Sequence, residues 1–476
     1  MTQVLSVVSE CAPLVKTGGL ADVAGALPLA LMDHGVRMRT LVPGYPQVIQ
    51  RTDKAKVILS LPDLFGGDAR ILAANVGGLD LLILEAAHLY NRAGNIYLAP
   101  SGKDWPDNPE RFAALCWVAA FIAMNGIDGW RPDILHGHDW QAGLMTEYLT
   151  AMGGTGQVGT VMTIHNIAFH GIADPSKLDK LRLNPARFTQ DGFEFWGKIS
   201  ALKAGLMAAD RLTTVSPTYA EELMTDQFGM GFDGVMRFRR DDLSGILNGI
   251  DTDTWNPATD PNIQTYKTPR GKAKATAALR DELGLPQADG PLCVVVSRLT
   301  EQKGLDLLLE ALPTLLHRGG QLALLGSGSA QLEAAYKEAG KHPNVAVRIG
   351  YDEPLSHRMM AGGDAILVPS RFEPCGLTQL YGLRYGTIPC VALTGGLADT
   401  VINASPMALA SGVATGVQFS PVTVGSLHNA LNRLCDLYAD SGTWERMQRN
   451  AMAQAVDWGP SAARYAALYR DILTKA

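Results

Sequence analysis

Residues 387–402 read TIPCVALTGGLADTVI, and residues 4–25 read VLSVVSECAPLVKTGGLADVAG. Both stretches pass from an apolar run through the same six residues, Thr-Gly-Gly-Leu-Ala-Asp, into a helix-forming sequence. An unbroken apolar run, without polar–apolar alternation, is the pattern of a parallel strand covered on both faces. Paired glycines supply the turn after it, and the Asp is placed to cap the next helix. Strand, glycine turn and helix thus recur once near each end of the chain, the mark of a doubly wound α/β protein.

The same alternation fills the chain between them. VLSVVS (from Val4), RTLVPG (from Arg39), LDLLILEA (from Leu79), DILHG (from Asp133), GTVMTIHN (from Gly159) and RLTTVS (from Arg211) read as one strand series. LCVVVSR (from Leu292), QLALLGSG (from Gln321), NVAVRIG (from Asn344), DAILVPS (from Asp364) and TIPCVAL (from Thr387) read as a second. Helices lie between: DNPERFAALCWVAAFIAMN has Asp107 or Asn108 as cap and Pro109 in its first turn, and Ser216-Pro217 repeats that arrangement. NGIDTDTWNPATDPNIQTY, rich in Asp, Asn, Thr and Pro, separates the two series as a linker. The expected organisation is an N-terminal Rossmann-like domain over 1–245, a second over 246–457, and a C-terminal helix over 458–476 that packs back on the first.

Composition narrows the function. At 476 residues the chain exceeds one hydrophobic core, and 47% hydrophobic with 18% charged residues fits a folded, soluble protein. A net charge of -6 favours neither nucleic acid nor an anionic membrane as partner. The six cysteines are scattered without a CxxC pair, as in a reduced cytoplasmic protein. MTQVLSVVSECAP lacks the basic start of a signal peptide, and no apolar stretch is long enough to span a bilayer.

In open α/β sheets, ligands gather at the carboxyl ends of the strands, so the residues just after each strand carry the functional signal. After the first come Lys16, Thr17, Gly18 and Gly19; after the fourth, HGHDW with His136, His138, Asp139 and Trp140; after the fifth, His165 and Asn166. The second half offers Arg298 and Lys303, then GSGS, Tyr351, then Arg371, Glu373 and Thr378, and finally the second TGGLAD. Glycine turns and cations suit a phosphate, while carboxylates, His and aromatics suit a polar neutral group. Together they fit a sugar nucleotide gripped between two halves. A diphosphate leaving group needs its charge neutralised by a metal or by Arg, Lys and helix dipoles. Asp251-Thr252-Asp253 could hold a divalent ion but lies in the linker without further acidic ligands, and reads better as a turn. HGHDW lacks a completing zinc ligand. No metal and no cofactor is expected, and GxSxG, HExxH, Walker and GxGxxG patterns are absent.

KTGGLADV, HGHDWQAGL, TIHNIAFHG, LNGID, SRLTEQKGLD and PSRFEPCGLTQLYGLRYG, in this order from Val4 to about Tyr469, resemble the bacterial glycogen synthases and plant starch synthases. The resemblance implies a GT-B fold and metal-independent, retaining transfer of glucose from ADP-glucose to the non-reducing end of an α-1,4-glucan such as glycogen. It implies that Lys16, Gly18 and Gly19 contact the donor phosphate or glucose, and that Arg298 and Lys303 neutralise the diphosphate with the backbone of Gly395 and Gly396. Asp139 and His165 would line the glucosyl site, Asn166 and Asn248 would bond sugar hydroxyls, and Tyr97 would lie against the acceptor or donor glucose. Glu373 would hold donor hydroxyls beside a loop of Cys375, Gly376, Leu377 and Thr378, with Tyr351 near the adenine.

Two departures stand out. Tyr381 occupies the position, eight residues after Glu373, where broader retaining relatives carry a second glutamate, and HGHDW has Gly137 where HAHDW is commoner. The expected mechanism is a front-face, oxocarbenium-like transfer in which Asp139 and the His165 region stabilise the sugar cation and the cleft closes about a hinge near Asn248–Asp253. The alternatives are a relative using UDP-glucose and a non-catalytic nucleotide-sugar or glucan-binding protein. Oligomeric state leaves no trace in the sequence.

Overall fold

The computed structural model describes residues 1–52 and 54–475; residue 476, the last of the expected C-terminal segment, lies outside them. The chain divides into two compact units, 1–215 with 220–248 and 458–476, and 216–219 with 249–457.

In chain order the first unit's strands are β1 (Thr2–Val7), β2 (Val36–Pro43), β3 (Lys56–Leu61), β4 (Ala69–Val76), β5 (Leu79–Glu85), β6 (Ile134–His138), β7 (Gly159–Ile164), β8 (Ile172–Ala173), β9 (Glu194–Phe195), β10 (Lys198–Ser200), β11 (Arg211–Thr214) and β12 (Leu243–Gly245). Nine form one sheet in the order β12-β11-β7-β6-β1-β2-β5-β4-β3, and β8-β10-β9 form a small second sheet. Pairing is parallel from β12 to β5. Beyond β5 the sheet departs from the all-parallel expectation, since β4 runs antiparallel to both β5 and β3. β3 is mostly exposed or half-buried, so it lacks the continuous apolar run that marks the other strands.

The second unit carries β13 (Leu292–Val296), β14 (Gln321–Gly326), β15 (Val345–Ile349), β16 (Ala365–Val368), β17 (Ile388–Ala392) and β18 (Val417–Phe419). They form one parallel sheet in the order β15-β14-β13-β16-β17-β18, the Rossmann order 3-2-1-4-5-6. Its strands are apolar because both faces are covered; β14 is buried along its whole length.

Strand order fixes where function can sit. In the first sheet the connections leave β1 and β6 in opposite directions, and in the second they leave β13 and β16 likewise. These are the switch points, where the loops after neighbouring strands splay apart and leave a crevice.

The helix Asn108–Asn125 starts where expected, but no side chain caps it. Asp107 instead makes a two-pronged ion pair with Arg92, at 2.8 and 2.7 Å, a stronger use of a carboxylate than one amide. Ser216 does cap its helix, accepting from Tyr219 N at 3.2 Å. The segment Ser216–Tyr219 groups with the second unit, although the sequence boundary at 245 put it with the first. Ser216 Oγ donates to Pro374 O at 2.6 Å, and Asp399 accepts from Thr218 N and Oγ1 at 2.8 and 2.7 Å.

The C-terminal helix Gly459–Lys475 belongs to the first unit. Trp458, Ala462, Tyr465, Ala466, Tyr469 and Ile472 are buried in one cluster with Val4, Val23, Leu27, Ile134 and Val161.

Candidate active site

The first unit's switch point is built from the loops after β1, β6 and β7. Glu10, three residues past the end of β1, is buried, and its Oε2 accepts from Thr17 N and, at 3.3 Å, from Gly18 N. Burial raises the Glu10 carboxyl above its ordinary range, opposed by those amides. Tyr97 bonds Ser9 Oγ at 2.7 Å and donates to Glu10 Oε1 at 3.4 Å. The amides of the KTGGL turn, read from sequence as ligand donors, therefore already hold a resident carboxylate at Thr17 and Gly18. Lys16 is half-exposed and pairs with Asp22 of the same motif at 2.7 Å. Asp22 thus binds the motif's own lysine, and the helix Gly19–Leu31 has no side-chain cap.

Asp139 follows β6 with φ +55, a left-handed conformation that is uncommon outside glycine and clusters at functional sites. Its Oδ1 accepts from His165 N at 2.7 Å and Asn166 N at 3.3 Å, the two amides just after β7. Burial pushes its pKa up to about 7 against the pull of those amides. Asp139, His165 and Asn166 therefore form one cluster. Asn166 Oδ1 is committed to Ala168 N at 3.0 Å.

Beneath Asp139 lies a chain of neutral imidazoles. His138 Nδ1 is 2.9 Å from His165 Nε2, and His138 Nε2 is 3.3 Å from Ser6 Oγ. Burial drives His165 down to about 3 and His138 well below its ordinary value, so both are uncharged. Ser6 is buried and its hydroxyl has no other partner among the described residues. A buried O–H left without an acceptor is costly, so Ser6 donates to His138 Nε2. His138 then donates from Nδ1 to His165 Nε2, and the remaining hydrogen of His165 sits on Nδ1. The site gains an N–H donor and no base. His136 stacks on His138 at 4.2 Å and bonds Tyr469 Oη at 2.7 Å and Thr163 Oγ1 at 2.6 Å. Both histidines of HGHDW are thus engaged by hydroxyls and rings. A Cβ at Gly137 would fall 2.7 Å from Met145 Cε, so glycine here makes room for a packed methionine. Trp140 meets Phe112 edge-on at 5.0 Å and packs. Asn248 is buried and its Oδ1 has no partner among the described residues.

At the second unit's switch point, Lys303 Nζ reaches both Glu373 oxygens, at 2.8 and 2.6 Å, and Ser370 Oγ adds a third bond at 2.7 Å. The sequence reading gave these residues separate partners; here each holds the other. Arg298, on the same loop, is exposed, and its guanidinium has no partner among the described residues. Arg371 is spent on Asp306 at 2.8 and 2.6 Å. Tyr351 is 78% exposed, with its hydroxyl on Glu353 at 2.8 Å.

The second TGGLAD corrects another reading. Gly396 N, expected to face a phosphate, donates at 3.1 Å to the carbonyls of both Glu373 and Pro374. A Cβ at Gly395 would lie 2.1 Å from Glu373 O, and one at Gly396 would lie 2.1 Å from Cys375 O. These glycines let the turn press against the Glu373 loop. Gly376 has φ +73, and Leu377 and Thr378 open the helix Thr378–Tyr385. Tyr381 stacks on Trp255 at 3.8 Å, Trp255 stacks on His357 at 3.8 Å, and His357 bonds Asp260 at 2.7 Å. An aromatic sandwich thus takes the place where relatives carry glutamate.

Asp251 spends its carboxylate on Asp253 N at 2.9 Å and on Thr254 N and Oγ1 at 3.2 and 2.6 Å, closing a turn. Among the described residues no group of three His, Cys, Asp or Glu could hold a metal ion, and no helix is long and apolar enough to cross a membrane.

Residues 3–238 match the starch synthase catalytic domain family, and residues 279–454 match the glycosyl transferases group 1 family. The chain is 64% identical over 476 residues, all of both chains, to a glycogen synthase of Jannaschia sp. (strain CCS1). It is 63% identical to that of Paracoccus denitrificans, over 98% of this chain and 99% of the other. Among solved structures, the catalytic domain of starch synthase IV from Arabidopsis thaliana, bound to ADP and acarbose, superposes with a TM-score of 0.87 at 31% identity, covering 99% of each chain. Sucrose-phosphate synthase from Thermosynechococcus elongatus, at 18% identity and a TM-score of 0.61 over the whole of both chains, shares the fold. The strand orders, the residues at the two switch points and these relatives agree: the chain belongs to the glycogen synthase family of GT-B glycosyltransferases.

Proposed function

We propose that this glycosyltransferase moves glucose from ADP-glucose to the non-reducing end of an α-1,4-glucan with retention, without a metal. The observation that carries the reading is Arg298: an exposed guanidinium with no partner among the described residues, beside the buried Lys303–Glu373 pair. It is a cation kept for an anion from outside, and the donor diphosphate is that anion. Glu373, anchored by Lys303 and Ser370, holds donor hydroxyls, and Tyr351 offers a face to the adenine. The first unit takes the glucosyl group and the acceptor: Asp139 supplies negative charge, His165 an Nδ1–H donor, and Asn248 an oxygen, without a partner among the described residues, for a sugar hydroxyl.

The bond from glucose C1 to the β-phosphate oxygen breaks, and its electron pair leaves with ADP. The acceptor O4 attacks C1 from the same face, and its proton passes to the departing phosphate oxygen. Asp139 steadies the cationic sugar between these events. With His165 neutral and offering only a donor, no imidazole competes for that proton. All six cysteines are buried and none is in a disulfide, which suits a cytoplasmic enzyme.

The test is incorporation of glucose into a glucan primer from ADP-glucose and UDP-glucose in parallel, with and without EDTA. Equal use of UDP-glucose, or loss with EDTA, would overturn the donor or the metal-free reading; no incorporation from either would favour a binding protein. A glucosyl adduct on Asp139 in the mass spectrum would replace the front-face route by double displacement.

A further inference from the structure

A loop that binds an anion through its amides must turn its carbonyls the other way, because the C=O and N–H of a trans peptide point in opposite directions. The loop after β16 is held in that sense from behind. Gln379, fully buried on the helix Thr378–Tyr385, folds its side chain back so that Nε2 donates to Cys375 O at 3.0 Å and to Gly376 O at 2.9 Å. Both peptide units are trans, so the amides of Gly376 and Leu377 are aimed away from Gln379. Both residues are half-buried, and neither amide has a partner among the described residues.

The clasp extends to the second TGGLAD. Gln379 Nε2 also lies 3.2 Å from Thr400 Oγ1, and Thr400 donates its own hydrogen to Gly396 O at 2.5 Å. Thr400 therefore offers Gln379 only lone pairs, which fixes the amide with its NH2 end toward the loop. It is the residue just after the motif, and the first copy carries Val23 in that place. Gly396 N holds the carbonyls of Glu373 and Pro374, so every carbonyl from Glu373 to Gly376 is tied to Gln379 or to the second motif. The other end of the amide shows that packing is not its purpose. Gln379 Oε1 is buried with no partner among the described residues, and a Cβ at Gly376 would fall 2.4 Å from it. A methionine would fill the same space without burying an unpaired acceptor, so stability by itself disfavours glutamine there. Local rules of this kind are broken at functional sites.

We propose that Gln379, fixed by Thr400, is a positioning residue for donor binding: it clasps the Cys375 and Gly376 carbonyls and thereby aims the Gly376 and Leu377 amides at the diphosphate, without touching the donor itself. The proposal rests on the reading of this loop as part of the ADP-glucose site. Successive N–H groups around a left-handed residue form a concavity for an anion, and Gly376 has φ +73. Such a pair works only while both N–H vectors converge, so a loop free to turn its peptides over loses affinity without losing its fold. Arg298 supplies charge, and the clasp supplies direction.

Shape-conserving changes separate hydrogen bonding from packing. In Gln379→Met the donor is lost and the volume kept. Its dissociation constant for ADP, measured by calorimetry on the full chain, should rise about tenfold, with a similar rise in KM for ADP-glucose and an unchanged KM for the glucan primer. Thr400→Ser keeps the hydroxyl and loses a methyl, whereas Thr400→Val keeps the shape and loses the hydroxyl. Thr400→Ser should bind ADP within about twofold of the parent, and Thr400→Val about threefold or more weaker. A packing role predicts the reverse order, and this pair decides the matter if Gln379→Met does not fold. Parent-like ADP affinity in a folded Gln379→Met, or Thr400→Val binding as tightly as Thr400→Ser, would overturn the clasp. An equal rise in KM for the primer would do the same, because it reports general damage to the fold. Failure of the parent itself to bind ADP would sink the donor reading, whereas a parent that binds ADP beside unaffected variants sinks the clasp alone.

Discussion

His138 hands its Nδ1 hydrogen to His165 Nε2 across 2.9 Å, and so decides which nitrogen of His165 keeps its own hydrogen. Nothing in HGHDW reveals this role, because His138 is the buried last residue of β6. His138→Phe should cut kcat/KM by roughly 10- to 100-fold, the usual cost of losing a group that orients a working imidazole. Nitrogen-15 imidazole shifts check it: a protonated Nδ1 and a bare Nε2 on His165 in the parent, and mixed tautomers in the variant. A parent His165 protonated at Nε2 would refute the hydrogen-bond direction derived from Ser6.

Lys303 and Glu373 neutralise each other in a mostly buried setting, with side chains 17% and 8% exposed. Removing the lysine alone strands a carboxylate, so Lys303→Ala should destabilise the protein by about 2–4 kcal/mol in urea unfolding. Lys303→Ala with Glu373→Gln should recover a good part of that, while remaining inactive. Arg298→Ala, at an exposed and unpaired position, should change stability by less than about 0.5 kcal/mol yet raise KM for ADP-glucose.

Asp139 gives the activity an acidic limb. Its carboxyl titrates at about 7 in the free protein, so kcat/KM should fall as pH drops below about 7, and the limb should vanish in Asp139→Asn along with most of the activity. Stability runs the other way for this residue: its pKa is raised on folding, so its favourable contribution exists below the unfolded value and is lost as pH rises through 7.

The histidines oppose it. His136 and His165, lowered to about 3, contribute stability that is present above the unfolded value near 6.5 and is lost as pH falls towards 3. His138 is lowered further still. With His170 lowered as well, these imidazoles outnumber the raised carboxyls of Asp139, Glu10 and Asp364, so the melting temperature should decline from about pH 6 downward. His136→Phe should flatten that decline.

The two TGGLAD copies should respond unequally to one substitution. Gly395→Ala, the counterpart of Gly18→Ala, drives a Cβ to 2.1 Å from Glu373 O and should cost about 2 kcal/mol or more while displacing the Glu373 loop. At Gly18 the nearest atom to such a Cβ is Glu10 Oε1 at 4.0 Å, so Gly18→Ala should leave the melting temperature within a few degrees.

Fold and site were legible to different depths. Parallel strands announce themselves as unbroken apolar runs, so the residues just after them, Asp139 and His165 in one unit and Arg298, Lys303 and Glu373 in the other, could be placed at the two switch points by position alone. β3 and β4, half-exposed and antiparallel, carry no such run. Glu10 was overlooked although it lies just three residues past β1, because the glycine turn at Gly18 and Gly19 drew the reading. Partners in space were the hardest part. No spacing rule couples Lys303 to Glu373 or Ser6 to His138, and the amides of a glycine turn look available until the atoms facing them are known.

The C-terminal helix has a consequence for biosynthesis. Tyr469 bonds His136, and its neighbours cover Val4, Ile134 and Val161, yet residue 458 is made 210 residues after Asn248, where the first unit otherwise ends. At roughly 5–20 residues per second on the ribosome, that face waits about ten to forty seconds, while the whole second unit is synthesised, before its own chain arrives to cover it. The unit begun first is the last to be finished, and translation pace after Asn248 sets how long its apolar surface is open to other chains.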